Sequence, residues 1–374
     1  MEVSLRAWVA LGLLSSQSPR YKSHINPHTV RPEGLLESSA EALGNALALR
    51  PQEARDIFSR NFPERADKEI EAAGKAGVAI VTFEDAVYPH GLRNLPDPPP
   101  FLYVRGKFEP DDEAAVAIVG SRRATPYGVW VAGEIGRGLA ATGVTVVSGL
   151  ARGIDTAAHR AALEAGGRTI AVLGSGIDIV YPKENRRMFE RVARAGAVVT
   201  EFPFGAPPEP YHFPVRNRLI SALSAAVVVV EAARDSGSLI TARRAGDELG
   251  LPVCAVPGPI TSQTSMGCND LIYDGAAPVR DLRDVLAELP ERIRSRAART
   301  LSRRPSAPAT PSPGRLDGGA EKVLRSLKPG EPRSVDELAG SMNLASEVVL
   351  GHLLELELLG LAGQLPGGLY VRKS

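Results

Sequence analysis

Four short segments that combine glycine with hydroxyl or basic side chains hold most of the possible chemistry in this 374-residue sequence. They contain Gly120, Ser121 and Arg122; Ser148, Gly149 and Arg152; Gly174, Ser175 and Gly176; and Ser236, Gly237 and Ser238. Glycine lets a backbone approach a ligand closely, and free amides at helix starts attract anions. Since arginine adds a charge that pairs with phosphate, the four segments together favour an anion-binding surface over ordinary tight turns.

A fifth segment places an aromatic side chain beside cations. Phe213 follows Tyr211 and His212, and it precedes Arg216, Asn217 and Arg218. This combination suits single-stranded nucleic acid, because bases stack on aromatic rings while arginines hold phosphates. The alternative is structural, with Phe213 closing the core and the two arginines paired with acids such as Glu201. Spacing alone leaves both interpretations open.

Several other chemistries find no support in the sequence. Cys254 and Cys268 are the only two cysteines, which excludes a disulfide framework and a four-cysteine metal site. Neither a GxxxxGK[ST] loop nor a GxGxxG motif after the first strand of the parallel run is present, which disfavours nucleotide hydrolysis and NAD binding. Asp155 and His159 could share a helix face as an acid–base pair, but a capping aspartate and a packed histidine are favoured. We therefore expect no catalytic residue, no metal ligand and no cofactor.

The elements that must position these segments are predicted from apolar runs. The runs lie at 115–119, 144–147, 169–173, 197–200, 226–230 and 253–256. Helix-like segments separate most of them, and this alternation predicts an α/β fold with a doubly wound, Rossmann-like parallel sheet over residues 78–288. Because ligands bind beyond the carboxyl ends of parallel strands, the glycine-containing segments should converge at one edge.

The flanks of this region predict three further units. Residues 1–75 indicate a small N-terminal helical domain, and residues 289–318 an arginine-rich and then proline-rich linker. The arginine run could bind nucleic acid, although a solvated helix end is favoured. Residues 319–374 suit three helices and a hairpin, which is a winged-helix domain.

Charge limits the partners that these units can have. The 44 Lys and Arg residues balance 43 Asp and Glu residues, so a nucleic-acid site requires a local patch. The predicted third helix of the winged-helix domain, 346–359, has three glutamates and no lysine or arginine. This domain is therefore expected to bind protein or regulate, and not to be the main DNA reader. The sequence contains no membrane-spanning stretch or secretory signal, which predicts a cytoplasmic protein with no membrane partner.

Six motifs, in this order, resemble those of the DNA-processing protein A family (DprA, also called Smf). They are VGSR at 119–122, SGLARGID at 148–155, GSGID at 174–178, FPVRNR at 213–218, SGSLITA at 236–242 and VPG at 256–258. The resemblance covers about 78–288 and extends to the helical and winged-helix flanks.

The resemblance implies a homodimeric recombination mediator that is not an enzyme. Such a protein binds and protects single-stranded DNA in natural transformation and loads the RecA recombinase. Arg122 and Lys183 match basic DNA contacts, and Phe213 matches a base-stacking aromatic. Pro210 departs from relatives that carry a lysine there, so a phosphate contact is either absent or supplied by His212, Arg216 or Arg218. We expect the dimer to form through about 246–280, where Leu251, Val253, Leu271 and Ile272 are apolar.

The alternative function is enzymatic. Nucleotide-processing phosphoribohydrolases resemble this region in their glycine-rich loops, but they carry a Pro-Gly-Gly-x-Gly-Thr motif. The comparable segment here is SGSLIT at 236–241, which disfavours that activity.

Overall fold

The computed structural model describes residues 2–16, 25–30, 32, 39–47, 49–303, 317–328, 330–365 and 367–372. Within these residues a nine-stranded sheet has the order β1-β2-β6-β5-β4-β3-β7-β8-β9. Its strands are β1 (Ala79–Thr82), β2 (Phe101–Gly106), β3 (Ala115–Val119), β4 (Thr145–Ser148), β5 (Thr169–Val172), β6 (Ala197–Thr200), β7 (Ala226–Val229), β8 (Val253–Ala255) and β9 (Ala277–Pro278). The strands β3 to β9 pair in parallel, while β1 and β2 form an antiparallel extension.

Helices alternate with the parallel strands. The short helix α5 (His90–Arg93) lies between β1 and β2, and the helices that follow it are α6 (Pro126–Ala141), α7 (Ile154–Glu164), α8 (Arg186–Ala195), α9 (His212–Ala222), α10 (Gly237–Arg243), α11 (Gln263–Tyr273), α12 (Leu282–Ala287) and α13 (Glu291–Arg303). Alternate residues of β3 point to opposite faces: Ala117 packs in the core beneath α9 and α10, and Ile118 packs beneath α6 and α7. The predicted doubly wound α/β fold is confirmed, with the short strand β9 as an addition.

The N-terminal helices pack directly against the antiparallel end of this sheet. They are α1 (Glu2–Ser15), α2 (Ala40–Ala46), α3 (Pro51–Phe58) and α4 (Phe62–Ala76). Trp8 of α1 lies 6.0 Å from Phe83 between ring centroids, and the Tyr103 hydroxyl of β2 donates to Glu69 of α4 at 2.5 Å. The helical segment thus shares one hydrophobic core with β1 and β2.

The arginine-rich segment, which we predicted as the start of a linker at 289, forms the packed helix α13. Ile293 and Ala297 are buried in the core beside α6 and α12. Arg292 pairs with Glu113, and Arg296 pairs with Asp111 at 2.7 Å. Residues 291–303 therefore continue the α/β unit, because apolar residues four apart give this basic helix a buried stripe. The proline-rich residues 304–316 lie outside the described residues.

The C-terminal residues form the predicted winged helix. It comprises α14 (Gly318–Ser326), β10 (Arg333–Ser334), α15 (Val335–Met342), α16 (Ser346–Leu358), β11 (Ala362–Leu365) and β12 (Leu369–Arg372). Val323, Leu338 and Leu353 belong to a core that includes no residue of the large sheet. Across the described ranges, no helix combines the length and the apolarity that crossing a membrane requires.

Candidate nucleic-acid interface

The glycine-containing segments converge at the carboxyl edge of the sheet, as predicted. The main-chain amide of Ser121 donates to the carbonyl of Glu231 at 2.7 Å, which joins the loops after β3 and β7. The side-chain amide of Asn217 donates through Nδ2 to the carbonyl of Gly237 at 3.1 Å, and the Gly174 backbone lies against the Phe213 ring. Strand order reverses between β3 and β7, so this edge includes the crevice where doubly wound folds commonly bind nucleotides.

A carboxylate of the protein fills that crevice. Glu231 is buried, and it accepts hydrogen bonds from the Thr125 amide at 2.9 Å and the Thr125 hydroxyl at 2.5 Å. Thr125 is the N-cap of α6, and a Cβ on Gly128 in the first turn would overlap the Glu231 carboxylate. Glu231 thus places a negative charge where a phosphate would meet the helix N-terminus.

A second carboxylate, that of Asp155, accepts hydrogen bonds from main-chain amides of the loop before α7. Asp155 accepts from the Gly149 amide at 3.1 Å and from the Ala151 amide at 3.3 Å. Burial raises the pKa of Asp155, whereas Arg216 and the two amides act in the opposite direction. The expectation that free amides in these loops bind anions is therefore wrong for Gly149, because its amide already has an internal acceptor. The N-cap of α7 is Gly153, so Asp155 does not cap the helix as we expected.

Arg216 is buried beneath the edge, with only 3% of its surface exposed. Its guanidinium donates to the carbonyl of Gly149 at 2.8 Å and also to the carbonyl of Val172. Burial lowers its pKa to about 10, and attraction to Asp155 opposes that shift, so the group stays charged at neutral pH. A direct DNA contact of Arg216 stays a prediction that this burial disfavours, since its donors join the loop after β4 to the end of β5.

Other predicted contacts are also internal. Arg218 is 2% exposed and pairs with Glu201 at 2.5 Å and Asp97 at 3.3 Å, which confirms the alternative of an arginine paired with acids. Ser148 donates to the carbonyl of Ile118, and Ser175 donates to the carbonyl of Ile179. The partners of these three side chains lie inside the protein, so their direct contact with DNA stays a prediction that burial disfavours.

Two histidines considered from the sequence are buried as well. His212 lies against Phe202 with ring centroids 4.0 Å apart, and this burial disfavours the phosphate contact considered for it in place of one at Pro210. His159 shares a hydrogen bond of 2.7 Å with the Thr169 hydroxyl, and burial lowers its pKa to about 3. It is a neutral packed side chain, as favoured. The described residues hold no group of three or more His, Cys, Asp or Glu arranged for a metal ion.

An exposed layer lies above these buried groups. The Arg122 guanidinium carbon is 4.4 Å from the centroid of the half-buried Phe213 ring. Tyr181 lies on another side of Phe213, with centroids 5.9 Å apart. Tyr181 is not among the residues predicted for this site from the sequence. The three side chains form an exposed cation–aromatic cluster, which is a surface on which bases stack.

Basic and polar groups flank this cluster. Lys183 is exposed, and no ion pair to it occurs among the residues that the structure describes. Arg152 is exposed and ion-paired with Glu184, whose hydrogen bond raises the pKa of that arginine. Ser236 caps α10 by accepting from the Ser238 amide, and Gly237 between them is exposed. The exposed members of the predicted site are thus Arg122, Arg152, Lys183 and Gly237, with Gly120, Ser121, Phe213 and Ser236 half-buried.

The fold and the exposed side chains together define the class of protein. It is a Rossmann-like protein that has a cation–aromatic cluster at the carboxyl edge of its sheet and a winged helix at its C-terminal end. Residues 79–290 match the family model described as DNA recombination-mediator protein A, and residues 307–368 match the DprA winged helix domain. The chain belongs to the DNA recombination-mediator protein A family, and the predicted DprA/Smf resemblance is confirmed.

Individual relatives agree with this assignment. The chain is 32% identical over 392 residues to Protein Smf from Synechocystis and covers 98% of each chain. It matches the X-ray structure of DNA processing protein A from Streptococcus pneumoniae with a TM-score of 0.67 and 35% identity, covering 76% of this chain and 98% of that one. A structure of DNA processing protein A from Helicobacter pylori, described for its single-stranded DNA binding mode, matches with a TM-score of 0.50 and 30% identity over 56% of this chain and 97% of that one.

Proposed function

We propose that this protein binds single-stranded DNA at the carboxyl edge of its sheet and acts as a recombination mediator without enzymatic turnover. The observation that carries the proposal is the exposed stack of Arg122 on Phe213 above a crevice that Glu231 fills. Family membership and the single-stranded DNA binding described for the H. pylori relative support it.

In this proposal, exposed side chains make the contacts with the phosphates and bases of the single strand. Arg122 and Lys183 hold phosphates, and a base stacks on Phe213 or on the outer face of the Arg122 guanidinium. Gly120, Ser121, Ser236 and Gly237 let the strand approach the backbone, whereas Gly174, Gly176 and Ser238 are buried beneath this surface. Ser148, Gly149, Ser175, Arg216, Asn217 and Arg218 hold these loops in position from below.

The same geometry disfavours the alternative phosphoribohydrolase. An enzyme that cleaves nucleoside monophosphates needs a place for a compact phosphate, and the N-terminus of α6 already faces the Glu231 carboxylate. The loop before α7 likewise donates its amides to Asp155. An extended strand held from the exposed side requires neither position.

The test is a fluorescence anisotropy titration of the full chain with labelled single-stranded and duplex oligonucleotides. We expect tighter binding to the single strand and no base released from nucleoside monophosphates. Equal affinity for duplex, or measurable base release, would contradict the proposal.

We further propose that the protein is a homodimer and that its bound strand is delivered to RecA. At the predicted dimer face, a cleft of about 560 Å³ is lined by Leu251, Val253 and Leu271, and Tyr273 beside it is 91% exposed. Such an exposed aromatic is typical of an interface anchor.

Sedimentation velocity tests the dimer. Tyr273→Glu should yield a monomer, whereas the matched change Tyr211→Glu, at another exposed aromatic, should not. A wild-type monomer at high micromolar concentration would contradict the dimer. RecA loading is tested separately. RecA filament formation is measured on single strands coated with a single-strand-binding protein, in the presence and in the absence of this chain.

A further inference from the structure

A basic surface extends away from the proposed DNA site along α8. Four arginines lie on this ten-residue helix: Arg186, Arg187, Arg191 and Arg194. Its apolar residues Met188, Phe189 and Val192 are buried against the sheet, and all four arginines are exposed. We call these four arginines the α8 basic face.

The charge of this face is not neutralised locally. Within the described ranges, none of the four arginines has an ion pair, and Glu190 between them is directed to Arg105 at 3.2 Å. The neighbouring acid Glu184 is taken by Arg152. Unlike the ion-paired arginines of α13, these guanidinium groups are available to an external anion, although the whole chain has a net charge of only +1.

The face is continuous with the proposed site. Lys183 begins the 3-10 turn Lys183–Asn185, which leads without a break into α8. Tyr181, two residues earlier, contacts Phe213. A strand that leaves the Arg122–Phe213 stack therefore meets Lys183 and then a row of cations in which Arg187, Arg191 and Arg194 span about 10 Å of helix axis.

We propose that the α8 basic face binds the phosphates of the single strand that flanks the stacked base. This inference rests on the proposed single-stranded DNA binding and extends its path. The contacts are electrostatic and independent of sequence, since the face adds guanidinium groups and no exposed aromatic side chain.

The test compares two oligothymidylates, one of about 6 nucleotides that fills the central site and one of about 30 that reaches the flank. The variant combines Arg187→Gln, Arg191→Gln and Arg194→Gln. Long-strand affinity should fall on the order of 100-fold at 0.1 M salt, and the log–log salt slope should lose about 2, because each lost phosphate contact removes about 0.7. Binding of the short strand should stay within about twofold of wild type, since it neutralises no phosphate at α8.

Two controls make the result specific. Combining Arg55→Gln, Arg280→Gln and Arg325→Gln gives the same net-charge change on three other exposed surfaces, and it should leave both affinities unchanged. Lysine at 187, 191 and 194 should retain most of the salt slope, because the charge is kept.

Unchanged long-strand binding in the glutamine variant overturns the α8 inference, and so does an equal loss for both strands. Failure of the wild-type protein to bind either strand would instead overturn the proposed function itself.

Discussion

The sheet edge and the winged helix expose side chains of different chemical character, although both folds serve in nucleic-acid binding elsewhere. The edge exposes Arg122 and Lys183 around a half-buried Phe213. The third helix of the winged unit, α16, exposes Val348, Leu350 and Leu354, and Leu354 is 57% exposed. The difference shows that two such folds can carry surfaces of different charge, so the fold alone does not predict which surface suits a polyanion.

The charges sharpen this contrast. Residues 319–374 hold six basic and seven acidic residues, and α16 has no lysine or arginine. Placing its glutamates in a DNA groove would forgo counterion release. The apolar residues of α16 suit contact with protein, in agreement with the expected interaction or regulatory role, which stays a prediction.

The largest expected effect concerns the support beneath the edge. Arg216→Met removes the donors to Gly149 and Val172 and leaves the buried Asp155 without its nearby cation, so the free energy of unfolding should fall by about 3–5 kcal/mol. Chemical denaturation followed by tryptophan fluorescence measures this, because Trp8 and Trp130 both lie outside the winged unit. Arg325→Met, on exposed α14, is the control and should change nothing. A loss below about 1 kcal/mol would mean that Arg216 is not a structural tie.

The second effect is on binding. Phe213→Ala should weaken single-strand binding by about 1–3 kcal/mol while leaving the salt slope nearly unchanged, because stacking releases no counterion. Tyr211→Ala is the matched change at a more exposed ring two residues away, and it should have little effect. If Phe213→Ala lowers only thermal stability at intact affinity, the residue belongs to the core.

The third effect is a change in salt dependence. Arg122→Gln should reduce the log–log slope by about 0.7, which corresponds to one phosphate contact. Arg123→Gln is the control, since Arg123 is the next residue, is also exposed, and is not stacked on Phe213. Identical slopes for the two variants would place the strand elsewhere.

The smallest effect should follow removal of the winged helix. A chain that ends at residue 316 keeps α13, which belongs to the core of the sheet unit, and should bind single strands within about twofold of the full chain. Truncation near 290 is unsuitable, because it would expose the residues that Ile293 and Ala297 cover. A loss of more than tenfold on ending at 316 would reverse the comparison between the two regions.

The sequence predicted the sheet and the convergence of its loops because both depend on local patterns. Runs such as 115–119 are apolar throughout, and the carboxyl ends of parallel strands must meet at one edge. The two-residue strand β9 is too short for such a pattern. In α13, five arginines obscured the spacing of Ile293 and Ala297, which was the available signal for packing.

The roles of individual arginines were not predictable in the same way. Arg122 and Arg216 have the same chemistry, but Arg122 lies on Phe213 at the surface. Arg216 is buried and donates to the carbonyls of Gly149, after β4, and Val172, at the end of β5. The buried role of Arg216 depends on two partners that are 44 and 67 residues away from it in the chain. Likewise, nothing near Glu231 in the sequence indicates that it meets Thr125, which is 106 residues distant.

The position of Glu231 in the crevice also bears on competition between free nucleotides and single strands for this edge. A protein that binds single strands does so among free nucleotides, which carry the same phosphates and bases but are far more abundant as separate molecules. Because Glu231 occupies the N-terminus of α6, where a compact phosphate would otherwise bind, a free nucleotide would be left with the same one or two side-chain contacts as a single nucleotide of a strand. In the proposed complex only a polymer occupies many such contacts at once, so the buried carboxylate would make the length of the strand the basis of discrimination.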